Sequence, residues 1–124
     1  MIRVIPLELT GSDERGYTCE YYHERLGHHI ILYRKPGTTS GGNYHKGNSL
    51  TKDPEILMLL HGQCQLNWRD AGSTSLQMVM AEGPARIEIP AYCWHQLITI
   101  TDCVLLELNS IADHAADTYY DEQS

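Results

Sequence analysis

A chain of 124 residues with a formal charge of −7 suits one domain spanning residues 1–124, and it has no Lys/Arg cluster to meet a nucleic acid or an anionic membrane surface. No stretch approaches the ~20 apolar residues of a membrane span, and the opening Met1-Ile2-Arg3-Val4-Ile5-Pro6 is too short an apolar run for a signal peptide. Cys19, Cys64, Cys93 and Cys103 form no Cys-x-x-Cys pair, which excludes a zinc knuckle or thioredoxin-like motif and suits a cytoplasmic protein with reduced thiols.

From the N-terminus, residues 1–9 alternate weakly and are expected to cover a sheet edge against a second copy, giving a homodimer. Residues 17–23 and 28–34 read as strands separated by Leu26-Gly27. Residues 36–54 form a long loop rich in Gly, Ser, Thr and Asn, the kind of loop that carries function. Residues 56–60 are a short apolar strand, and Gly62 turns the chain into 63–69, where Cys64, Leu66 and Trp68 alternate with polar residues. After the turn Asp70-Ala71-Gly72-Ser73 come strands at 76–80, 86–89, 96–100 and 103–108, the last two joined at Thr101-Asp102. Ser110 is an N-cap for a helix over 111–120. Residues 113–124 form an acidic tail holding Asp113, Asp117, Asp121 and Glu122 with no Lys or Arg. Short strands with turns every 8–12 residues indicate an all-β sandwich or barrel.

Chemistry-bearing residues concentrate in two segments. In 37–62, Gly37 is followed after five residues by Asn43-Tyr44-His45, after nine more by Glu55, and after six more by Gly62. In 83–99, Gly83, Pro90, His95 and Thr99 recur around Tyr92-Cys93-Trp94. Residues two apart on a strand share a face, so Asn43 pairs with His45, Glu55 with Leu57, and His95 with Leu97. Two imidazoles and a carboxylate either form a facial set for a divalent metal (iron, manganese, nickel or zinc) or line a cavity as hydrogen-bonded polar groups.

These segments resemble the paired motifs of the cupin superfamily: Gly, five residues, His-x-His, three or four residues, Glu, six residues, Gly; then Gly, five residues, Pro-x-Gly, two residues, His, three residues, Asn. Gly37, His45, Glu55 and Gly62 match the first motif, and Gly83, Pro90 and His95 the second. Asn43 stands in place of the first His, Tyr92 in place of the Gly, and Thr99 in place of the Asn. The gap before Glu55 is lengthened. The resemblance implies a cupin-type jelly-roll β-barrel in which His45, Glu55 and His95 face inward and meet.

Within that superfamily, Gly62-Gln63-Cys64-Gln65-Leu66, residues 89–95 and residues 102–108 with the Tyr119-Tyr120-Asp121-Glu122 tail resemble the sugar-nucleotide 3,4-ketoisomerases. Gly42-Asn43-Tyr44-His45-Lys46 resembles capsular-polysaccharide-biosynthesis cupins. The resemblance implies His45 and His95 as proton-transfer groups, since enolisation beside a ketone needs a base near neutral pKa.

Around this cluster, Asn43, Arg34, Tyr92 and Trp94 are candidates to contact a small polar or sugar-like ligand. Arg34 would receive a phosphate or carboxylate and the aromatic residues would stack on a ring. Cys93 reads as a barrel-wall residue, and His23, His28, His29, His61 and His114 as solvated. Three functions follow: a cupin binding a polar metabolite with or without a metal, an isomerase or epimerase on a nucleotide-linked keto-sugar, and a non-catalytic ligand-sensing or interaction module.

Overall fold

The alternation of apolar and polar residues resolves into strands that build two facing antiparallel sheets. The structure is a computed structural model and describes residues 1–120. Its elements are β1 (Arg3–Pro6), β2 (Leu9–Asp13), β3 (Gly16–Cys19), β4 (Ile30–Arg34), β5 (Thr39–Asn43), β6 (Glu55–His61), β7 (Gln63–Asp70), β8 (Gln77–Glu82), β9 (Ala85–Ile89), β10 (Cys93–Thr99), β11 (Cys103–Glu107) and α1 (Ile111–Ala116). One sheet has the order β1-β9-β6-β11-β4 and the other β5-β10-β7-β8. Inward residues of both sheets share one apolar core: Leu57 and Leu59 from β6 and Ile87 and Ile89 from β9 meet Leu66 from β7 and Leu97 from β10. This is the jelly-roll architecture, with each strand giving alternate residues to the interior.

β6 lies at the centre of its sheet and is buried on both faces. Glu55, Leu57 and Leu59 point between the sheets, while Ile56 and Met58 join Leu108 in a second cluster outside, partly covered by Leu7 and Leu106. A carboxylate at the head of so apolar a strand must find partners inside the barrel.

Two glycines are fixed by space. Gly62 joins β6 to β7 at φ +104, and a Cβ there would lie 2.1 Å from the Asp102 carbonyl oxygen. Gly41 has φ +89, and a Cβ would meet the His95 carbonyl at 3.0 Å, so its bareness lets β5 pair closely with β10.

β1 pairs with β9 of its own barrel, Val4 opposite Ile87. Three expectations need correction. Of the expected 17–23 strand only residues 17–19 are extended, as part of β3, which pairs with β2 in a separate hairpin. The following segment is pinned instead by side chains: His23 Nδ1 accepts from the Arg25 amide at 2.8 Å, and Arg25 donates to the carbonyls of Thr51 and Pro54. The 36–54 loop contains β5. Finally, the helix stops at Ala116, and the expected tail is structured through Tyr120. Asp117 is fully buried and accepts from the amides of Lys46 and Ser49 at 2.9 and 3.1 Å, and Tyr119 forms a bridge with Tyr44. Asp121 and Glu122 lie outside the described residues.

Candidate active site

The barrel holds a cavity of about 280 Å³ whose polar wall comprises Arg34, Asn43, Glu55, His95, Glu107 and His114, facing Leu57, Leu66, Leu97 and Leu105. Pairing sets two of these residues opposite each other: Asn43 is the Cα partner of His95 across β5 and β10, where a bulge follows His95. Glu107 closes the inward alternation Cys103, Leu105, Glu107 along β11.

The core of the site is the predicted trio. His45 Nε2 lies 2.6 Å and His95 Nε2 3.6 Å from Glu55 Oε2. His45 Nε2 and Glu55 Oε2 are buried and lack an aligned hydrogen-bond partner despite their close approach. Both rings are held from behind, His45 Nδ1 against the Asp117 carbonyl at 2.6 Å and His95 Nδ1 against the Cys93 carbonyl at 2.9 Å. A carbonyl only accepts, so each Nδ1 carries hydrogen and donates. His95 faces the cavity, whereas His45 sits behind Glu55 and does not line it.

Three further residues complete the cluster. The wholly buried Lys52 side chain brings its Nζ within 3.2 Å of Glu55 Oε1 and 2.9 Å of His114 Nδ1. An ammonium has only protons to give, so His114 Nδ1 accepts and its hydrogen resides on Nε2. The His114 ring packs edge-on against His45 with centroids 5.6 Å apart, which places it in the site and not in solvated tail. Glu107, Glu55 and His114 bring ligand atoms within 4.8 Å of one another.

Burial sets the proton affinities. Desolvation would raise Glu55, but contact with His45 and the charges of His95 and Lys52 outweigh it and hold the carboxyl well below its ordinary range. Desolvation lowers His95, opposed by Glu55, and lowers His114 with help from Lys52. Desolvation and the Glu55 charge push Glu107 up to about 7. The site thus contains a fixed anion, two imidazoles kept neutral and a carboxyl poised near neutrality.

The remaining sequence candidates divide. Arg34 lines the cavity, its guanidinium held by Ser40 Oγ at 2.9 Å and the Tyr33 carbonyl at 3.0 Å. Trp94 and Tyr92 do not line it. Trp94 is next to His95 in sequence and so projects from the other face of β10, where the Arg69 guanidinium lies 4.6 Å from its ring centroid. Tyr92 sits in the preceding turn at φ 59, a left-handed conformation that favours glycine, with its ring against Tyr44. Thr99 ties the barrel through the Lys35 carbonyl. Cys93 is a wall residue whose thiol burial pushes up to about 11. His61 is exposed beside Asp102, as expected.

A divalent ion would be held by His45, Glu55 and His95, which offer ligand atoms within 4.8 Å of one another, both Nε2 atoms facing Glu55 Oε2. These donors suit such an ion in kind. They do not suit it in charge, because the carboxylate that would anchor it already carries the buried ammonium of Lys52.

No family model and no curated protein matches the chain. Solved structures do match. A double mutant of the 3,4-ketoisomerase QdtA from Thermoanaerobacterium thermosaccharolyticum, in complex with TDP, is 17% identical, with 98% of this chain and 88% of that chain covered and a TM-score of 0.73. RmlC, a dTDP-6-deoxy-D-glucose-3,5-epimerase from Legionella pneumophila in complex with dTDP-4-keto-L-rhamnose, is 15% identical over 96% of this chain and 71% of that one, with a TM-score of 0.67. The capsular polysaccharide assembling protein CapF from Staphylococcus aureus is 22% identical, with 94% of this chain but only 34% of that chain covered and a TM-score of 0.63. At these identities the likeness establishes the fold, the cupin-type jelly roll expected from the sequence.

Proposed function

We propose that this chain catalyses proton transfer at a carbon beside the carbonyl of a keto-sugar carried on a nucleoside diphosphate, as an isomerase or epimerase. The observation that carries this reading is the convergence of His95, His114 and Glu107 on one small, largely apolar cavity. At about 280 Å³ the cavity lies at the small end of ligand pockets and suits a single sugar ring, with the nucleotide left toward the mouth. Arg34 at the wall is pre-oriented for a phosphate oxygen.

The proton chemistry follows from the hydrogen bonds. His95 donates Nδ1–H to the Cys93 carbonyl, so its neutral ring offers the Nε2 lone pair as base. Once Nε2 takes the proton from carbon, the Glu55 carboxylate at 3.6 Å stabilises the imidazolium. His114, whose Nδ1 faces Lys52, presents Nε2–H as a neutral donor for the ketone oxygen as it gains enolate character. Asn43 adds an amide opposite His95. Glu107, at about 7, exists in both protonation states near neutral pH and is suited to return a proton to the neighbouring carbon or oxygen. His45, behind Glu55, is a positioning residue.

The fold's likeness to structures named as sugar-nucleotide isomerase and epimerase, two of them with TDP or a dTDP-keto-sugar bound, supports the same substrate class. The test is incubation with TDP-4-keto-6-deoxyglucose in deuterated water, followed by NMR. Deuterium entering the carbon next to the ketone is the expected result. Absence of both exchange and binding at high protein concentration rejects the reading.

A further inference from the structure

We propose that Lys52 supplies as a covalently attached charge what a divalent cation would supply, and that removing this charge uncovers a metal site at His45, Glu55 and His95. The proposal is independent of the reaction assigned above.

The donor atoms are already arranged for coordination. Nδ1 of His45 and of His95 are each committed to a backbone carbonyl, the support that orients metal-binding imidazoles and directs Nε2 at the ion. His45 Nε2 and Glu55 Oε2 face each other at 2.6 Å in the buried core, so both ligand atoms already point at one spot. The other oxygen of Glu55, Oε1, is held by Lys52 Nζ at 3.2 Å.

Lys52 is held in place from several directions. Its side chain is fully buried, which an ammonium tolerates only when paired. Its own amide donates to the Ser49 carbonyl at 3.0 Å, and it bridges to Glu55. On either side, the Thr51 and Pro54 carbonyls accept from the Arg25 guanidinium at 2.9 and 2.6 Å. The lengthened stretch between His45 and Glu55 thus delivers a fixed cation to the carboxylate. A dication sharing that carboxylate would be repelled by it. Without it, Glu55 would lose its fixed cation and keep only the two imidazoles as partners, leaving room in charge for an ion at that spot.

The test compares the full chain with Lys52→Met, similar in length but uncharged, and with Lys52→Arg, which keeps the charge. Each is titrated with zinc alone, and bound zinc is measured by mass spectrometry and chelator competition. The expected result is well under one equivalent for the unaltered chain and Lys52→Arg, and one equivalent for Lys52→Met. Its affinity should be tighter by at least about tenfold and lost again in Lys52→Met/His95→Ala. Stoichiometric zinc in the unaltered chain that His95→Ala abolishes would overturn the proposal, as would a folded Lys52→Met chain that takes up none. If Lys52→Met is unfolded without metal, circular dichroism during the titration decides. Folding driven by zinc supports the exchange of one cation for another, and failure to fold overturns it.

Discussion

His45 Nε2 and Glu55 Oε2 stand 2.6 Å apart with side chains only 1% and 2% exposed, so an imidazole and a carboxylate share the dry centre of the barrel. The Glu55 charge is what makes this arrangement tolerable, because it is the counter-charge of buried Lys52.

Glu55→Gln should therefore lower stability by about 3–5 kcal/mol at pH 7, the cost of leaving a buried charge without its partner. The folded-state pKa of Glu55 is depressed, so its contribution is present above the unfolded value near 4.5 and is lost as pH falls below it. Urea denaturation of both proteins should show the gap narrowing from pH 5 downward. A gap unchanged down to pH 3 would contradict the depressed pKa.

Glu107 carries the opposite sign. Its pKa is raised from 4.5 to about 7 by burial and by Glu55, so the unfolded chain releases this proton before the folded one does. Stability is therefore lost as pH rises from 4.5 through 7. Glu107→Gln should match the unaltered chain at pH 4 and exceed it at pH 8 by at most about 3 kcal/mol. Thermal melts at the two pH values check this, and a variant less stable at pH 8 would show that the carboxylate is paired.

In the exchange assay, His95→Gln should slow deuterium incorporation by roughly 10²–10⁴, the usual contribution of a positioned base. His114→Ala should cost about 10²–10³ in kcat with a small change in KM, as for loss of one donor to a developing oxyanion. Trp94→Phe should leave both constants near their starting values, because the ring lies on the far face of β10 from His95.

Gly62→Ala should cost at least about 2 kcal/mol, combining a left-handed backbone with a Cβ that would press on the Asp102 carbonyl at 2.1 Å. Equilibrium unfolding measures it directly. A stability within error of the original would mean that the β6–β7 turn can open at no cost.

Wherever side-chain period decides the outcome, the residues revealed the fold and the trio in advance. Glu55, Leu57 and Leu59 had to share a face, and so did His95 and Leu97. The same rule places Glu107, two positions beyond Leu105, on the inward face. Trp94 adjoins His95 in sequence, which on a strand means the opposite side. Lys52 and His114 had no local signal. One lies in a loop with no period. The other lies on a two-turn helix whose place depends on Asp117 binding amides roughly 70 residues earlier in the chain. Such positions are set by tertiary contacts alone.

The tie between Asp117 and the Lys46–Ser49 stretch also fixes when the chamber can exist during synthesis. Among the described residues every named strand lies within 3–107, so a nascent chain of that length holds the residues of both sheets before these contacts can form. Nothing would hold the back of His45, and no imidazole would accept from Lys52. The segment from Ile111 to Asp117 is thus a clasp rather than an appendage: a chain cut before Ile111 would lose the backbone support of His45 and the imidazole that accepts from Lys52.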